Sequence, residues 1–399
     1  MRHSRSMTFP ERFSKLPEYA FPRLRALLNG INPAKEPIDM TIGSPRHPFP
    51  QWISSLIIDN MQEFCGYPPN DGTAELRIAI SKWMAFRYDV NYNYETQIFP
   101  LNGTREGLFS ASLALCPEEV SGSQPVILVP NPFYQVYAVA AYAVNAEPVY
   151  VEATKESGFL PDYSTLAPEV LNRTAILYVC SPSNPQGAVA SRTYWIKLLK
   201  LAEQYNFKIF CDECYSEIYN VEKPLGILTV SMQLGCSPER VVLFNSLSKR
   251  SNLAGLRSGF AASGPENIKA MKTLRNYGGA PLSLPLQRVS EKVWGDEIHV
   301  QGNRKLYKEK LELADKIFKG VPGYGSPEAG FFLWLPVHNG EIATKTLWEK
   351  TGVKVLPGKY LGRDYNNKNP GENYIRVALV APLEEARSGL TNIKNFLYV

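Results

Sequence analysis

Apolar positions along the chain fall into two alternating textures. Between about residues 100 and 265, short runs rich in β-branched and aromatic residues recur at Val126-Ile127-Leu128-Val129, Val149-Tyr150-Val151, Ala175-Ile176-Leu177-Tyr178-Val179, Phe207-Lys208-Ile209-Phe210, Val241-Val242-Leu243-Phe244 and Gly259-Phe260-Ala261-Ala262. Continuous apolar runs of this length suit strands buried on both faces. Helical spacing occupies Tyr194 to Tyr205 and Glu266 to Tyr277. The alternation predicts an α/β domain with a mostly parallel sheet flanked by helices.

After about residue 295 the texture changes. A long charged helix is predicted over Arg304 to Phe318, a strand over Phe331 to Leu335, a helix near Thr344 to Lys350 and a strand over Tyr374 to Val380. That is an α+β pattern and predicts a smaller second domain. The proline-rich segment through Pro50 is too short to fold alone and is expected to pack on it. No internal repeat or low-complexity tract interrupts the chain.

Composition narrows the function. With 399 residues, 44% of them hydrophobic, two ordinary cores can be filled. The net charge of +5 comes from scattered basic residues, which argues against nucleic acid as a partner and leaves a small anionic ligand compatible. Six cysteines are sparse and several sit in apolar runs, as free thiols do in a reducing compartment, so the cytoplasm is expected. Cys211-Asp212-Glu213-Cys214 has no second pair to make a metal or redox site. The basic start MRHSRSMTFPERF lacks a continuous apolar core, and no segment approaches the ~20 apolar residues of a membrane span. With four histidines, no G-x-S-x-G, no H-E-x-x-H and no Walker motif, triad hydrolase, zinc enzyme and nucleotide triphosphatase readings lack support.

Candidate chemistry lies where the predicted strands end, because the carboxyl ends of strands in an open α/β sheet share one crevice. Lys249, in Ser246-Leu247-Ser248-Lys249, offers an amine nucleophile if burial or cations lower its pKa. Arg257, eight residues on, makes an anion cradle with Ser246 and Ser248. Asn102-Gly103-Thr104-Arg105 precedes an apolar helix and can turn its N–H groups to the same anion. Asp212 is costly at a strand end unless it holds a cation or hydrogen bonds. Tyr215 and Asn184 stand within reach of such a ligand, and Tyr134 offers an aromatic face. Arg376 is a charge in an apolar strand and calls for an anionic partner such as a carboxylate. Taken singly, each also fits a surface charge, a helix cap, turn chemistry or a core aromatic.

Jointly, in this order and spacing, they resemble the fold-type I pyridoxal-phosphate aminotransferases of class I/II. The likeness spans nearly the whole chain and rests on Ser246-x-Ser248-Lys249 with Arg257, Asn184-Pro185-x-Gly187, Asp212-x-x-Tyr215 and Arg376. It implies a mostly parallel seven-stranded sheet in a large domain at 49–292, a small α+β domain at 293–399 and an N-terminal segment, 1–48, packed on the small one. It further implies pyridoxal 5'-phosphate as a covalent aldimine on Lys249, which also shuttles the proton at substrate Cα. Asp212 would hold the pyridinium, Asn184 and Tyr215 the ring oxygen, and Tyr134 would stack on the ring. Gly103, Thr104, Arg105, Ser246, Ser248 and Arg257 would bind the phosphate. Tyr67 would reach the phosphate of a neighbouring subunit in a homodimer, and Arg376 with Gly43 and Asn184 would hold the substrate.

Within the family, Ile42 to Pro48, Tyr67 to Thr73, Ser246 to Asn252, Val355 to Gly358 and Asn369-Pro370-Gly371 are similar to bacterial N-succinyldiaminopimelate aminotransferases of lysine biosynthesis. Ala329-Gly330-Phe331-Phe332 and Arg46 depart from that pattern. The implied substrates are an amino acid and a 2-oxo acid, exchanged with glutamate and 2-oxoglutarate. Another class I/II transaminase (aspartate, alanine or aromatic) or a lyase with the same cofactor are the alternatives. Arg275, Arg250 and Arg46 are the candidates for reading a distal carboxylate.

Overall fold

The computed structural model describes residues 11–398, apart from 15, 17 and 366. Its strands in chain order are β1 (Ile38–Asp39), β2 (Ile98–Leu101), β3 (Val126–Asn131), β4 (Glu147–Glu152), β5 (Thr174–Cys180), β6 (Lys208–Asp212), β7 (Val241–Ser246), β8 (Gly259–Ala262), β9 (Phe332–Pro336), β10 (Val353–Lys354), β11 (Leu356–Pro357) and β12 (Tyr374–Ala378). Among the described residues, seven of them form one sheet in the order β2-β8-β7-β6-β5-β3-β4. The pairs from β4 through β7 are parallel, and β8 runs antiparallel to both β7 and β2.

Side chains on the central strands alternate between two cores, as the two-residue period of a strand requires. On β7, Val241 and Leu243 join Trp83 and Trp195 on one face, while Val242 and Phe244 join Leu108 and Tyr137 on the other. Each fully buried side chain of this kind contributes about 1.5–3 kcal/mol. The covering helices begin where the sequence supplies caps. Thr73 accepts the Leu76 N–H ahead of helix Ala74–Tyr88, and Ser191 accepts the Tyr194 N–H ahead of helix Arg192–Tyr205.

A second, antiparallel sheet has the order β11-β12-β9, with helices Ile298–Phe318, Gly340–Thr351 and Leu383–Leu397 packed around Phe331, Leu347, Ile375 and Leu390. β1 pairs with β10, and helix Ala20–Leu28 sets Leu24 and Leu28 against Leu356 and Tyr360. Residues 20–40 therefore lie on the C-terminal unit and lead directly into the crevice between the two sheets, whereas Glu11–Phe13 packs on helix Val136–Ala143 of the larger unit, where Arg12 donates to the Ala143 carbonyl at 3.4 Å.

Two boundaries differ from the sequence-based expectation. The long helix starts at Ile298 rather than Arg304, because the Asp296 carboxylate accepts the N–H groups of Ile298 and His299 and caps a polar first turn. β12 stops at Ala378, whose N–H donates to the Met40 carbonyl and ties this strand to the N-terminal segment. Among the described residues, no helix is long and apolar enough to cross a membrane.

Candidate active site

β5, β6 and β7 run in parallel and end at Cys180, Asp212 and Ser246, so their polar carboxyl-terminal residues arrive side by side. They open on a cavity of about 430 Å³ lined by Gly43, Thr104, Arg105, Tyr134, Asn184, Asp212, Tyr215, Ser246, Ser248, Lys249, Arg257 and Arg376. Tyr67 is fully exposed and lies outside this lining.

The turn after β7 builds one wall. Ser246 Oγ accepts the Ser248 N–H at 3.3 Å and caps the short helix Leu247–Arg250, which aims Lys249 inward. Lys249 Nζ donates to the Gly43 carbonyl. Burial pulls its pKa to about 8, with the cations Arg376 and Arg257 adding to the shift and Asp212 opposing it. The amine is thus poised near neutrality instead of being locked as an ammonium.

Arg257 takes a left-handed backbone (φ 57), donates to the Ala254 carbonyl at 2.8 Å and lays its guanidinium against Gly103. Gly103 itself sits at φ 80 as the cap of helix Thr104–Leu115, and any Cβ there would overlap that guanidinium. Only glycine permits this approach. The result is a ring of donors, comprising a helix N-terminus, a guanidinium and the hydroxyls of Thr104, Ser246 and Ser248, with the shape and charge of a phosphate site. Gly103→Ala is expected to weaken phosphate-anchored cofactor binding about tenfold or more, since it forces strain at positive φ and displaces a charged donor. Equilibrium titration of the cofactor against the variant measures this.

Asp212 forms the floor. Its carboxylate accepts the Tyr137 hydroxyl at 2.9 Å and the Cys214 N–H at 3.2 Å. Burial pushes its pKa up, and those two bonds together with the Lys249 charge oppose the rise. Among the described residues it makes no ion pair, so a cationic ring N–H entering the cavity would satisfy it. Tyr137 was missed by the sequence reading, although it stands three residues after Tyr134. Its hydroxyl has no signal in a single chain until folding sets it beside Asp212.

Arg376 closes the far side. It donates to Asn184 Oδ1 at 3.2 Å and to the Thr41 carbonyl at 2.8 Å, its plane lies over the Phe332 ring at 4.2 Å, and its buried Nε has no partner. Burial pulls its pKa to about 10, so it remains a cation at neutral pH. Among the described residues it has no carboxylate in reach, and a buried guanidinium with an orphaned N–H suits an external one. Tyr215 stands edge-on to Phe331 and Phe332 between Arg376 and the floor. Gly43 packs so closely on the Phe332 ring that a Cβ would overlap it. Tyr134 lines the opening, and its hydroxyl accepts a bond from Arg105.

The candidates for reading a distal carboxylate need correction. Arg250 is buried and committed to Glu297 and to the carbonyls of Val293, Trp294 and Asp296. Arg275 is held by Glu106 and the Pro100 carbonyl. Neither faces the cavity. Arg46 is exposed, bidentate with Glu385 at 2.7 and 3.1 Å, and likewise outside the cavity lining. The sequence carried no sign of these carboxylate partners, which lie 47, 169 and 339 positions away for Arg250, Arg275 and Arg46 and meet them only once the chain is folded.

An amine of lowered pKa, a ring of donors shaped for a phosphate, a buried carboxylate without an ion pair among the described residues and a buried guanidinium, all in one cavity, suit amino-acid chemistry with a phosphorylated pyridine aldehyde. The chain belongs to the class I and II aminotransferase family, whose model matches residues 35–389. It is 30% identical over 405 residues to an LL-diaminopimelate aminotransferase of Dehalococcoides mccartyi, covering 98% of this chain and 99% of that one. Among solved structures, an aminotransferase from Neisseria meningitidis superposes with a TM-score of 0.92 at 38% identity, covering 97% and 99% of the two chains. A probable N-succinyldiaminopimelate aminotransferase from Thermus thermophilus superposes at 0.83 with 25% identity, covering 95% and 100%. The protein is an aminotransferase of the pyridoxal-phosphate type, acting on small molecules.

Proposed function

We propose that this transaminase exchanges the amino group of N-succinyl-LL-2,6-diaminopimelate with 2-oxoglutarate and glutamate, in lysine biosynthesis. The transaminase part is carried by one observation, the meeting of Lys249, Asp212 and Arg376 in a single cavity. When bound, pyridoxal phosphate supplies a protonated conjugated ring that delocalises the electron pair left at substrate Cα. Asp212, braced by Tyr137, would keep the ring nitrogen protonated. Lys249 Nζ would hold the cofactor through its aldehyde group and would be the base that moves the proton at Cα. Asn184 and Tyr215 would hold the ring oxygen, Tyr134 would stack on the ring, and Gly103, Thr104, Arg105, Ser246, Ser248 and Arg257 would bind the phosphate. Arg376 and the Gly43 backbone take the α-carboxylate and so orient the Cα–H bond.

The diaminopimelate skeleton is supported by the names of the relatives. The choice of its succinylated form rests on the lining of the cavity. Four cations, Arg105, Lys249, Arg257 and Arg376, line it, whereas Asp212 is its single carboxylate among the described residues and lies at the floor. Free LL-diaminopimelate carries a distal ammonium that would find no carboxylate there. A succinyl group removes that ammonium and adds an acceptor-rich, anionic tail, which suits Ser44, Gln135 and Tyr19 at the opening. A panel of amino donors with 2-oxoglutarate tests this. N-succinyl-LL-diaminopimelate is expected to exceed LL-diaminopimelate in kcat/KM by about tenfold or more, the cost of one unpaired buried charge being at least ~1.4 kcal/mol. A higher value for the free diamine, aspartate or an aromatic donor overturns the substrate while leaving the reaction class.

We place the enzyme in the cytoplasm as a homodimer. All six cysteines are free thiols, as in a reducing compartment. Tyr67, with Ile58, Met61 and Phe64 nearby in sequence, is exposed and available for a second copy, whose phosphate site it would complete.

A further inference from the structure

Lys310 is a buried cation with no carboxylate within 4.0 Å of its ammonium among the described residues. Such a group is costly to keep, so its single polar partner calls for a physical reason. That partner is His47 Nε2, at 2.6 Å. His47 must therefore be the neutral Nδ1–H tautomer, and its Nδ1 stands 2.9 Å from Asn303 Oδ1. Asn303 in turn donates both amide hydrogens, to the carbonyls of Lys249 at 3.2 Å and Arg250 at 3.1 Å. Each donor and acceptor in this line is determined by the one before it. It runs from Lys310 through His47 and Asn303 to the backbone of the residue that carries the reactive amine.

A second contact closes the circuit. Four residues before His47, the Gly43 carbonyl receives Lys249 Nζ. The segment from Gly43 to His47 therefore meets the Lys249 turn at both ends, at the Lys249 side chain and through Asn303, and the Asn303 tie is the one that would remain once the amine holds the cofactor. Aromatic packing follows the same path, with His47 against Tyr307 at 4.4 Å and Tyr307 stacked on Phe331 at 5.2 Å, the ring beneath Lys249 Nζ.

We propose that His47, held by the buried Lys310, is a positioning residue that fixes the Gly43 segment against the Lys249 turn and so presents the Gly43 backbone to a substrate carboxylate. This deepens the function proposed above and rests on its reading of Gly43. The charged and titratable groups facing Lys310 are Arg46 and Glu385, which pair with each other, together with His47 and Tyr307, and Glu309 lies towards His47. Burial, with Arg46 adding to it, pulls Lys310 to about 8, and burial keeps His47 neutral by lowering its pKa. The charge-assisted bond between them is therefore present at pH 7 and loses its charge as pH rises past about 8.

The test uses the full chain loaded with cofactor in its aldehyde form, to which 2-oxoglutarate binds without an amino group to accept. At pH 7, Lys310→Met and His47→Ala are each expected to weaken 2-oxoglutarate about fivefold, the difference between a charge-assisted bond and an ordinary one. The ratio of variant to wild-type Kd for Lys310→Met should fall towards one above pH 9. The imidazole ¹⁵N signal of His47, one of four histidines, should show a transition near pH 8 in the wild type that Lys310→Met abolishes. Lys310→Met should also melt at a higher temperature at pH 7. A lysine whose folded pKa lies below its unfolded value costs stability in full below pH 8, and that cost fades between about 8 and 10.5. Wild-type affinity in both variants at pH 7 overturns the positioning role. A His47 signal without the transition overturns the tie itself, whatever the ligand does. Failure of 2-oxoglutarate to bind the wild type, with the transition present, refutes the carboxylate reading and leaves the tie standing.

Discussion

Lys249→Ala is expected to lose the visible absorbance of the lysine-bound cofactor and to lower turnover with glutamate and a 2-oxo acid by more than about 10⁴, the upper end of what a positioned proton-transfer group contributes. The expected loss is large because, in the function proposed above, one amine does two jobs, holding the cofactor and moving the Cα proton. Its environment prepares it for both: enclosure between the Gly43 segment and the Phe331 ring, plus two nearby guanidinium groups, brings its pKa to about 8. The wild type carries a matching pH signature. Capture of the aldehyde by the empty protein needs the neutral amine, so its rate should fall about tenfold for each pH unit below 8. Stopped-flow absorbance on mixing protein with cofactor measures it. Retained turnover in Lys249→Ala would remove the mechanism altogether.

Arg376→Met should raise KM for every amino donor and 2-oxo acid together, lowering kcat/KM by about 30-fold to several thousand-fold. That range corresponds to the ~2–5 kcal/mol lost when one partner of a buried, hydrogen-bonded charge pair is truncated. The direction of the stability change distinguishes a binding role from a structural one. In the described chain Arg376 is buried with no carboxylate and an orphaned Nε, so methionine of similar length relieves a desolvation cost. The variant should melt no lower than the wild type while failing at binding. A structural arginine would show the reverse, a lower melting temperature with KM preserved.

Six of the seven strands were legible because the central ones are buried on both faces, whereas the edge strand β2 was not read from its residues and the count of seven came from the family resemblance. A run such as Val241-Val242-Leu243-Phe244 needs no partner to announce itself, and a strand followed by Ser246-x-Ser248-Lys249 places its polar residues at the carboxyl end by chain order alone. Lys249, Asp212 and Arg257 could be read from local sequence for the same reason: each follows its own strand or turn within a few positions. Arg376 was legible as a charge that an apolar strand cannot leave unanswered.

What the chain does not spell out locally are the pairings between distant segments. Arg250 and Arg275 looked free because Glu297 and Glu106 reach them only in the folded molecule. Tyr137 gains its role from Asp212, 75 positions away, and Thr41 from Arg376, 335 positions away. The amine of Lys249 acquires its lowered pKa from walls supplied by the N-terminal segment and the small sheet. Residue order and apolar periodicity thus determined most of the strands and the crevice at their carboxyl ends, since those depend on neighbours in the chain, and they marked polar candidates there whose roles came from the joint resemblance to a known family. Tertiary structure alone decided which charges remain available, because availability depends on partners and on exclusion of water, and both are properties of the packed molecule.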